Sequence, residues 1–83
     1  MIKNSVKDAV VNRFTEICKD KKIKFNELAN ISGVTPSSVY SLMDPKRRNV
    51  SIVLIKKLCD GLDMTLGDFF ENGKFEELEQ EVE

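Results

Sequence analysis

The chain has 83 residues, enough for one domain around a single hydrophobic core, and we expect no second, ligand-binding domain. Its residues are 41% hydrophobic and 33% charged, with two prolines and four glycines, which is typical of a compact helical protein and not of a disordered chain. Because histidine is absent, Cys18 and Cys59 cannot form an ordinary zinc site, and an enzyme would lack its commonest base. We therefore expect no enzyme activity, no metal and no cofactor.

Charge is divided unevenly along the chain, although the net charge is only −1. Residues 1–70 contain twelve basic and eight acidic residues, a net charge of +4, whereas residues 71–83 contain six glutamates and one lysine, a net charge of −5. The sequence thus predicts a basic domain over residues 1–70 and an acidic C-terminal tail over residues 71–83. The pI of about 5.5 does not exclude a nucleic-acid partner, because phosphate binding depends on the local charge of the protein face that meets the nucleic acid.

The apolar pattern predicts a cytoplasmic protein. The longest apolar run, Ile52 to Ile55, is far below the roughly 18 residues that cross a bilayer, and residues 1–5 lack the apolar stretch of a signal peptide. Cys18 and Cys59 are interpreted as reduced packing residues in a reducing compartment.

Two helices are predicted in the first third of the chain. The first covers residues 6–21, where helical spacing places four apolar residues on one face: Val6, Val10, Phe14 and Ile17. The second lies between Ile23 and Ile31, with Leu28, Ala29 and Ile31 as its apolar residues. It should end at Gly33, because glycine adopts a positive φ without steric cost.

Thr35 and Pro36 predict the start of a third helix. The Thr35 hydroxyl can cap the amide of Ser38, and Pro36 in the first helical position loses no backbone hydrogen bond. Val39 and Leu42 then face the core. The residues left on the outer face are Pro36, Ser37, Tyr40 and Ser41.

The rest of the basic domain predicts a loop and two further helices. Residues 44–50 lack apolar periodicity and carry three consecutive cations, which indicates an exposed loop. Ser51 should cap a fourth helix, with this core face: Ile52, Ile55, Leu58, Cys59 and Leu62. Gly61 and Asp63 mark its fraying end. Thr65 should cap a short fifth helix that buries Leu66, Phe69 and Phe70.

The spacing of four residues predicts a helix-turn-helix. The small side chain of Ala29 lets the next helix cross closely, Gly33 permits the tight turn, and Val39 and Leu42 hold the second helix on the core. Such a pair holds one helix above the surface, and the width of that helix fits the major groove of DNA.

Across residues 10–70, the order of the elements and three segments resemble the Cro and phage-repressor (XRE-type) helix-turn-helix family: SGVTPSSVYSLM, NVSIVLIKKLCDGLDM and TLGDFF. The resemblance implies an all-α, five-helix, lambda-repressor-like domain. It also implies a regulator of transcription, which we expect to be a repressor, that binds double-stranded operator DNA, usually as a homodimer on a palindromic site. No membrane and no small-molecule effector are expected.

Carried over by position, the resemblance makes residues 35–41 the recognition helix. The positions expected to contact bases are Thr35, Pro36, Ser37, Tyr40 and Ser41. Phosphate contacts are expected from the start of the second helix, through Lys24 and the backbone amides of Phe25 and Asn26. The basic loop should add Lys46, Arg47, Arg48 and Asn49. Serine hydroxyls both donate and accept, so we expect modest base specificity or readout of DNA shape. The alternative for the serines of this helix is that they are simply solvated surface residues, and the alternative for the basic loop is that its charges only make it soluble.

The chain departs from the family pattern at two places. Phe25 stands where relatives often have a glutamine, which puts a side-chain hydrogen bond there in doubt. Cys18 and Met43 stand where many relatives carry an arginine and a glutamate that pair. Because both charges are replaced together, we predict an apolar contact between Cys18 and Met43.

Three questions stay open at the level of sequence. Val53 and Leu54 could form a dimer interface, pack against the tail through Phe75 or Leu78, or be scattered surface residues. The same fold could instead serve as an antitoxin or as a regulatory subunit that binds a protein. The tail, either loose or a short helix, could mimic DNA and shield the basic face, so that removing residues after Phe70 would raise affinity for DNA.

Overall fold

The computed structural model describes residues 6–44, 46–47, 50–71 and 75. Within these ranges it contains five α-helices and no β-strand: α1 (Val6–Lys21), α2 (Phe25–Ser32), α3 (Pro36–Met43), α4 (Ile52–Gly61) and α5 (Leu66–Phe70). The all-α class and the order of the five helices confirm the expectation from the sequence. Of the predicted tail only Glu71 and Phe75 are described, so the division at residue 70 stays a prediction.

Capping side chains set the starts of three helices. The hydroxyls of Thr35, Ser51 and Thr65 each accept a hydrogen bond from the backbone amide three residues later, at 3.4, 3.2 and 3.0 Å. Each satisfies one of the amides that lack a partner inside the helix. All three predicted caps are therefore confirmed.

Gly33 ends α2 as expected. Its φ of 69° places it in the left-handed region, which glycine enters without a steric penalty. The Gly33 amide donates to the carbonyl of Asn30 at 3.3 Å, and the Val34 amide donates to that of Ala29 at 3.1 Å. These two bonds satisfy carbonyls at the end of α2 and turn the chain sharply into α3.

One hydrophobic core joins all five helices. Its buried members are Val10, Phe14, Ile17, Cys18, Leu28, Ala29, Val39, Leu42, Ile55, Leu58, Cys59, Leu62 and Phe69. The rings of Phe14 and Phe69 lie 4.4 Å apart between centroids and join α1 to α5. Leu66 and Phe70, expected to be buried, are partly buried and pack against this core.

Three apolar residues of the predicted helical patterns are exposed. These residues are Val6, Ile31 and Ile52, and each lies at or next to the end of its helix. Helical periodicity identifies a face but does not show how far along the helix its neighbours extend. The first turn of α4 is the clearest case, since Ile52 is 56% exposed and the adjacent Val53 is 62% exposed.

Gly61 is a point of close contact between α4 and α2, although the sequence suggested only a fraying helix end. A Cβ atom at Gly61 would lie 2.8 Å from the Cα and 2.9 Å from the Cβ of Ser32, and closer still to its hydroxyl oxygen. That hydroxyl is buried and has no hydrogen-bond partner among the described residues. The last turn of α4 thus contacts the last residue of α2 with no room for a side chain.

Arg13 connects α1 to α5. Its Nε donates to the carbonyl of Phe69 at 2.8 Å, and its Nη2 donates to the carbonyl of Asp68 at 3.0 Å. The last carbonyls of a helix lack partners within the helix, so Arg13 satisfies two of them in the short α5. Its guanidinium also lies 5.9 Å from the centroid of the Phe69 ring.

Phe75 extends the aromatic packing of α5. Its ring centroid lies 6.0 Å from that of Phe69 and 4.9 Å from that of Phe70. Leu78, the other tail residue considered above, lies outside the described residues. None of the helices in the described ranges is long and apolar enough to span a bilayer.

Candidate nucleic-acid interface

The helix-turn-helix consists of α2, the turn at Gly33 and α3. Ala29 of α2 is buried in the core, and the buried residues Val39 and Leu42 hold the inner face of α3 on that core. The burial of Val39 and Leu42 confirms the inner face predicted for α3, whereas the close helix crossing at Ala29 stays a prediction. The opposite face of α3 consequently lies at the surface of the domain.

The exposed face of α3 carries the residues that the sequence analysis assigned to base contacts. Pro36, Ser37 and Tyr40 are exposed, Ser41 is half-buried, and Thr35 is exposed immediately before the helix. Tyr40, at 52% exposure, is the large side chain of this face. The structure therefore places all five predicted base-contacting residues on or beside one surface.

Hydroxyl groups at the start of α3 bind one another. The Thr35 hydroxyl lies at hydrogen-bond distance from those of Ser37, 3.1 Å, and Ser38, 3.0 Å, and it also accepts the Ser38 amide. These interactions stabilise the first turn of α3. They also occupy part of the hydrogen-bonding capacity that Thr35 and Ser37 could offer to a base edge.

Phe25 contacts Tyr40 across the helix-turn-helix. The two ring centroids lie 6.2 Å apart and the ring planes meet at 79°, the edge-to-face arrangement that aromatic pairs prefer. Phe25 is the first residue of α2 and packs against the core. From the sequence only the Phe25 amide was expected at the interface, and this contact of its ring was not predicted.

The N-terminus of α2 combines features that favour and oppose phosphate binding. Lys24 and Asn26 are exposed, and the first amides of a helix carry partial positive charge without partners inside the helix. However, the Glu27 carboxylate accepts a hydrogen bond from the Lys24 amide at 3.2 Å. Glu27 thus caps α2 and places a negative charge beside the predicted phosphate site, which the sequence analysis did not anticipate.

The basic loop begins directly after α3 and is held there by Asp44. The Asp44 carboxylate accepts the Lys46 amide at 2.9 Å, and its carbonyl accepts the Arg47 amide at 3.1 Å. The Arg47 Nε also lies 3.9 Å from the carboxylate. Lys46 and Arg47 are exposed, whereas Arg48 and Asn49, the other predicted phosphate contacts of the loop, lie outside the described residues.

The two cysteines are buried free thiols, as expected for packing residues. Burial raises the pKa of Cys18, and burial together with the nearby Asp60 raises the pKa of Cys59. Met43 packs against the core that contains Cys18. A direct contact between Cys18 and Met43 stays a prediction.

Lys7 is not available to bind a phosphate at the surface, because its side chain is buried. Among the described residues there is no cluster of three or more histidine, cysteine, aspartate or glutamate side chains that could hold a metal ion.

Comparison with known proteins places this geometry in a family. No curated protein matches the chain. The fold is similar to that of the prophage Lp1 protein 11, with a TM-score of 0.79 and 22% identity over 93% of this chain and 100% of that one. It is also similar to the clp gene regulator ClgR from C. glutamicum, with a TM-score of 0.73 and 23% identity over 94% of this chain and 100% of that one. Because the sequence profile of the Cro/C1-type HTH DNA-binding domain matches residues 13–72, the chain belongs to that family.

Proposed function

We propose that the protein is a sequence-specific transcriptional regulator, acting as a repressor, that places α3 in the major groove of double-stranded DNA. The observation that carries the proposal is the position of α3, whose inner face is held on the core by Val39 and Leu42 while its outer face lies at the surface. The similarity to a protein described as the clp gene regulator also supports a regulatory role.

Phosphate contacts on both sides of α3 would hold it in the groove. The start of α2 offers Lys24 and the amides of Phe25 and Asn26, and the loop after α3 offers Lys46 and Arg47. If about five to seven phosphates are neutralised per subunit, log affinity should fall with log salt at a slope of about −0.9 for each.

A homodimer on a palindromic site completes the proposal. The first turn of α4 supports it, because Ile52 and Val53 are apolar and mostly exposed. Leu54, which the sequence also suggested for this role, packs partly against its own core and is less available. Sedimentation that stays monomeric at high protein concentration, with and without operator DNA, would contradict the dimer.

Selection of bound duplexes from a random library tests the proposal. We expect a palindromic consensus, whose half-site spacing reports the distance between two α3 helices. Fluorescence anisotropy should then show tighter binding to the selected duplex than to a scrambled one. A chain that binds neither duplex in dilute buffer would contradict the proposal.

Charge variants separate positioning contacts from base contacts. Lys46→Gln and Arg47→Gln should weaken binding to both duplexes alike and reduce the salt slope by about 0.9 each. Lys56→Gln is the matched control, since Lys56 is an exposed cation of α4 that pairs with Asp60. Ser37→Ala should instead change the ratio of the affinities for the selected and the scrambled duplex. If Lys56→Gln lost as much DNA affinity as Lys46→Gln and Arg47→Gln, binding would depend only on the net charge of the protein.

A further inference from the structure

The exposed face of α3 includes an apolar surface in addition to its hydroxyls. Pro36 and Tyr40 are four residues apart, so their rings lie on the same side of the helix one turn from each other. Both residues are exposed. The hydroxyls of Thr35, Ser37 and Ser38 bind one another and are partly occupied. Apolar contact is therefore a large part of what this face offers to a ligand.

Phe25 restricts the orientation of the Tyr40 ring. A half-exposed tyrosine on a helix can adopt either of two common χ1 rotamers. The edge-to-face contact with Phe25, at 6.2 Å and 79°, favours one of them. Phe25 can do so because its own ring packs against the core. The pair thus orients an aromatic ring on the predicted DNA-facing surface before DNA is bound.

The major groove presents one apolar group to such a surface, the 5-methyl group of a pyrimidine. Lys24, the residue before α2, and Lys46, in the loop after α3, are exposed cations, and cations suit the phosphates that flank a groove. Exposed cations in the segments that precede α2 and follow α3 favour a polyanionic duplex over an apolar protein as the partner of the helix-turn-helix.

We infer that Pro36 and Tyr40 form a reader of thymine methyl groups, with Phe25 as the positioning residue that orients Tyr40. The inference rests on the proposed DNA-binding function and adds to it the chemical group that is read. Phe25 acts through Tyr40, so its ring influences the preference for thymine while its amide remains available to a phosphate.

Replacing thymine by deoxyuridine tests the inference, because it removes the methyl group and keeps the base pairing. Each thymine of the selected duplex is replaced in turn, and affinity is measured by fluorescence anisotropy. Burial of one methyl group corresponds to about a fourfold change in affinity. We expect at least one thymine per half-site whose replacement weakens binding of the unmodified protein by about three- to fivefold.

The variants then assign that loss to its residues. Tyr40→Ala and Phe25→Leu should each reduce the preference for thymine over uracil to less than twofold at that position, whereas Tyr40→Phe should retain it. Phe75→Leu is the matched control, because its ring packs on Phe69 and Phe70 in α5. A general loss of folding would weaken binding to the thymine and the uracil duplex alike and would leave the ratio of the two affinities unchanged. Tyr40 is mostly exposed, so Tyr40→Ala gives a folded test even if Phe25→Leu unfolds.

The outcomes are distinguishable. No binding to any duplex contradicts the proposed function and the inference with it. Binding that is indifferent to every uracil substitution overturns the inference alone. A preference for thymine that persists in Tyr40→Ala or in Phe25→Leu also overturns it, because the methyl group would then be read elsewhere or without help from Phe25.

Discussion

The contact between Gly61 and Ser32 gives a sharp prediction of stability. In an exposed helix, replacing glycine by alanine usually stabilises a protein by about 0.5–1 kcal/mol, because glycine loses more backbone entropy on folding. At Gly61 the new Cβ would lie 2.8 Å from the Cα of Ser32. This atom belongs to the backbone of α2 and cannot rotate away. We therefore expect Gly61→Ala to destabilise the fold.

The size of the effect follows from two opposing terms. Relief of the clash requires α2 and α4 to move apart by more than about half an ångström, and overpacking of this kind typically costs about 1–3 kcal/mol. We take the upper end because the Cβ of Ser32 also lies within 2.9 Å. Subtracting about 1 kcal/mol for the helix propensity of alanine leaves a net loss of about 2 kcal/mol.

Gly67→Ala is the matched control. A Cβ at Gly67 in α5 would meet only the Thr65 hydroxyl at 3.6 Å, an ordinary contact. The same substitution should therefore stabilise the protein by about 0.5 kcal/mol. Urea denaturation followed by circular dichroism measures both variants, and a loss of about 2 kcal/mol should also lower Tm by roughly 8–16 °C in a domain of this size.

Ser32→Ala in the Gly61→Ala background tests the cause. It removes the hydroxyl but leaves the Cα and Cβ of Ser32, so it should restore only part of the lost stability. Equal stabilisation by Gly61→Ala and Gly67→Ala would refute the reasoning, because the two sites would then differ only in helix propensity.

Four further predictions concern other parts of the molecule. Arg13→Met should lower the free energy of unfolding by about 2 kcal/mol, because two α5 carbonyls lose a charged donor. Lys56→Met, the control at an exposed ion pair, should change it by less than about 0.5 kcal/mol. Equal effects of the two substitutions in urea denaturation would contradict this prediction. Because burial raises the pKa of Cys18 and Cys59, a thiol reagent at neutral pH should modify them only after unfolding. The unfolded chain loses these thiol protons first as pH rises, so stability should fall above about pH 8.5, less steeply when both cysteines are alanine. Replacing the five glutamates after Phe75 by glutamine should raise DNA affinity at low salt if the tail shields the basic face, and unchanged affinity would exclude shielding.

The sequence predicted best the features that depend on neighbouring residues. The caps at Thr35, Ser51 and Thr65 each involve an amide three positions away, and Gly33 required only its own backbone freedom. The exposed face of α3 followed from the positions of its buried residues. Local rules of this kind do not need the angles between helices.

Features that depend on how helices are arranged could not be predicted in this way. The contact of Phe25 with Tyr40 requires the angle between α2 and α3, and the bonds from Arg13 to α5 join parts of the chain 55 and 56 positions apart. Ile52 was assigned to the core because periodicity does not reveal where a neighbouring helix ends. Glu27 carried a local signal, an acidic side chain three residues after the cap of α2, that the sequence analysis did not use.

The link between α1 and α5 has a consequence for how the protein is made. Phe14 cannot meet Phe69, and Arg13 cannot reach its carbonyl, until almost the whole domain has emerged from the ribosome. The packing of α2 on α3, by contrast, joins segments that are close in the chain and can form early in synthesis. A nascent chain stalled before α5 would expose the Phe14 ring, and a protease present during translation should cleave it far faster than the finished protein.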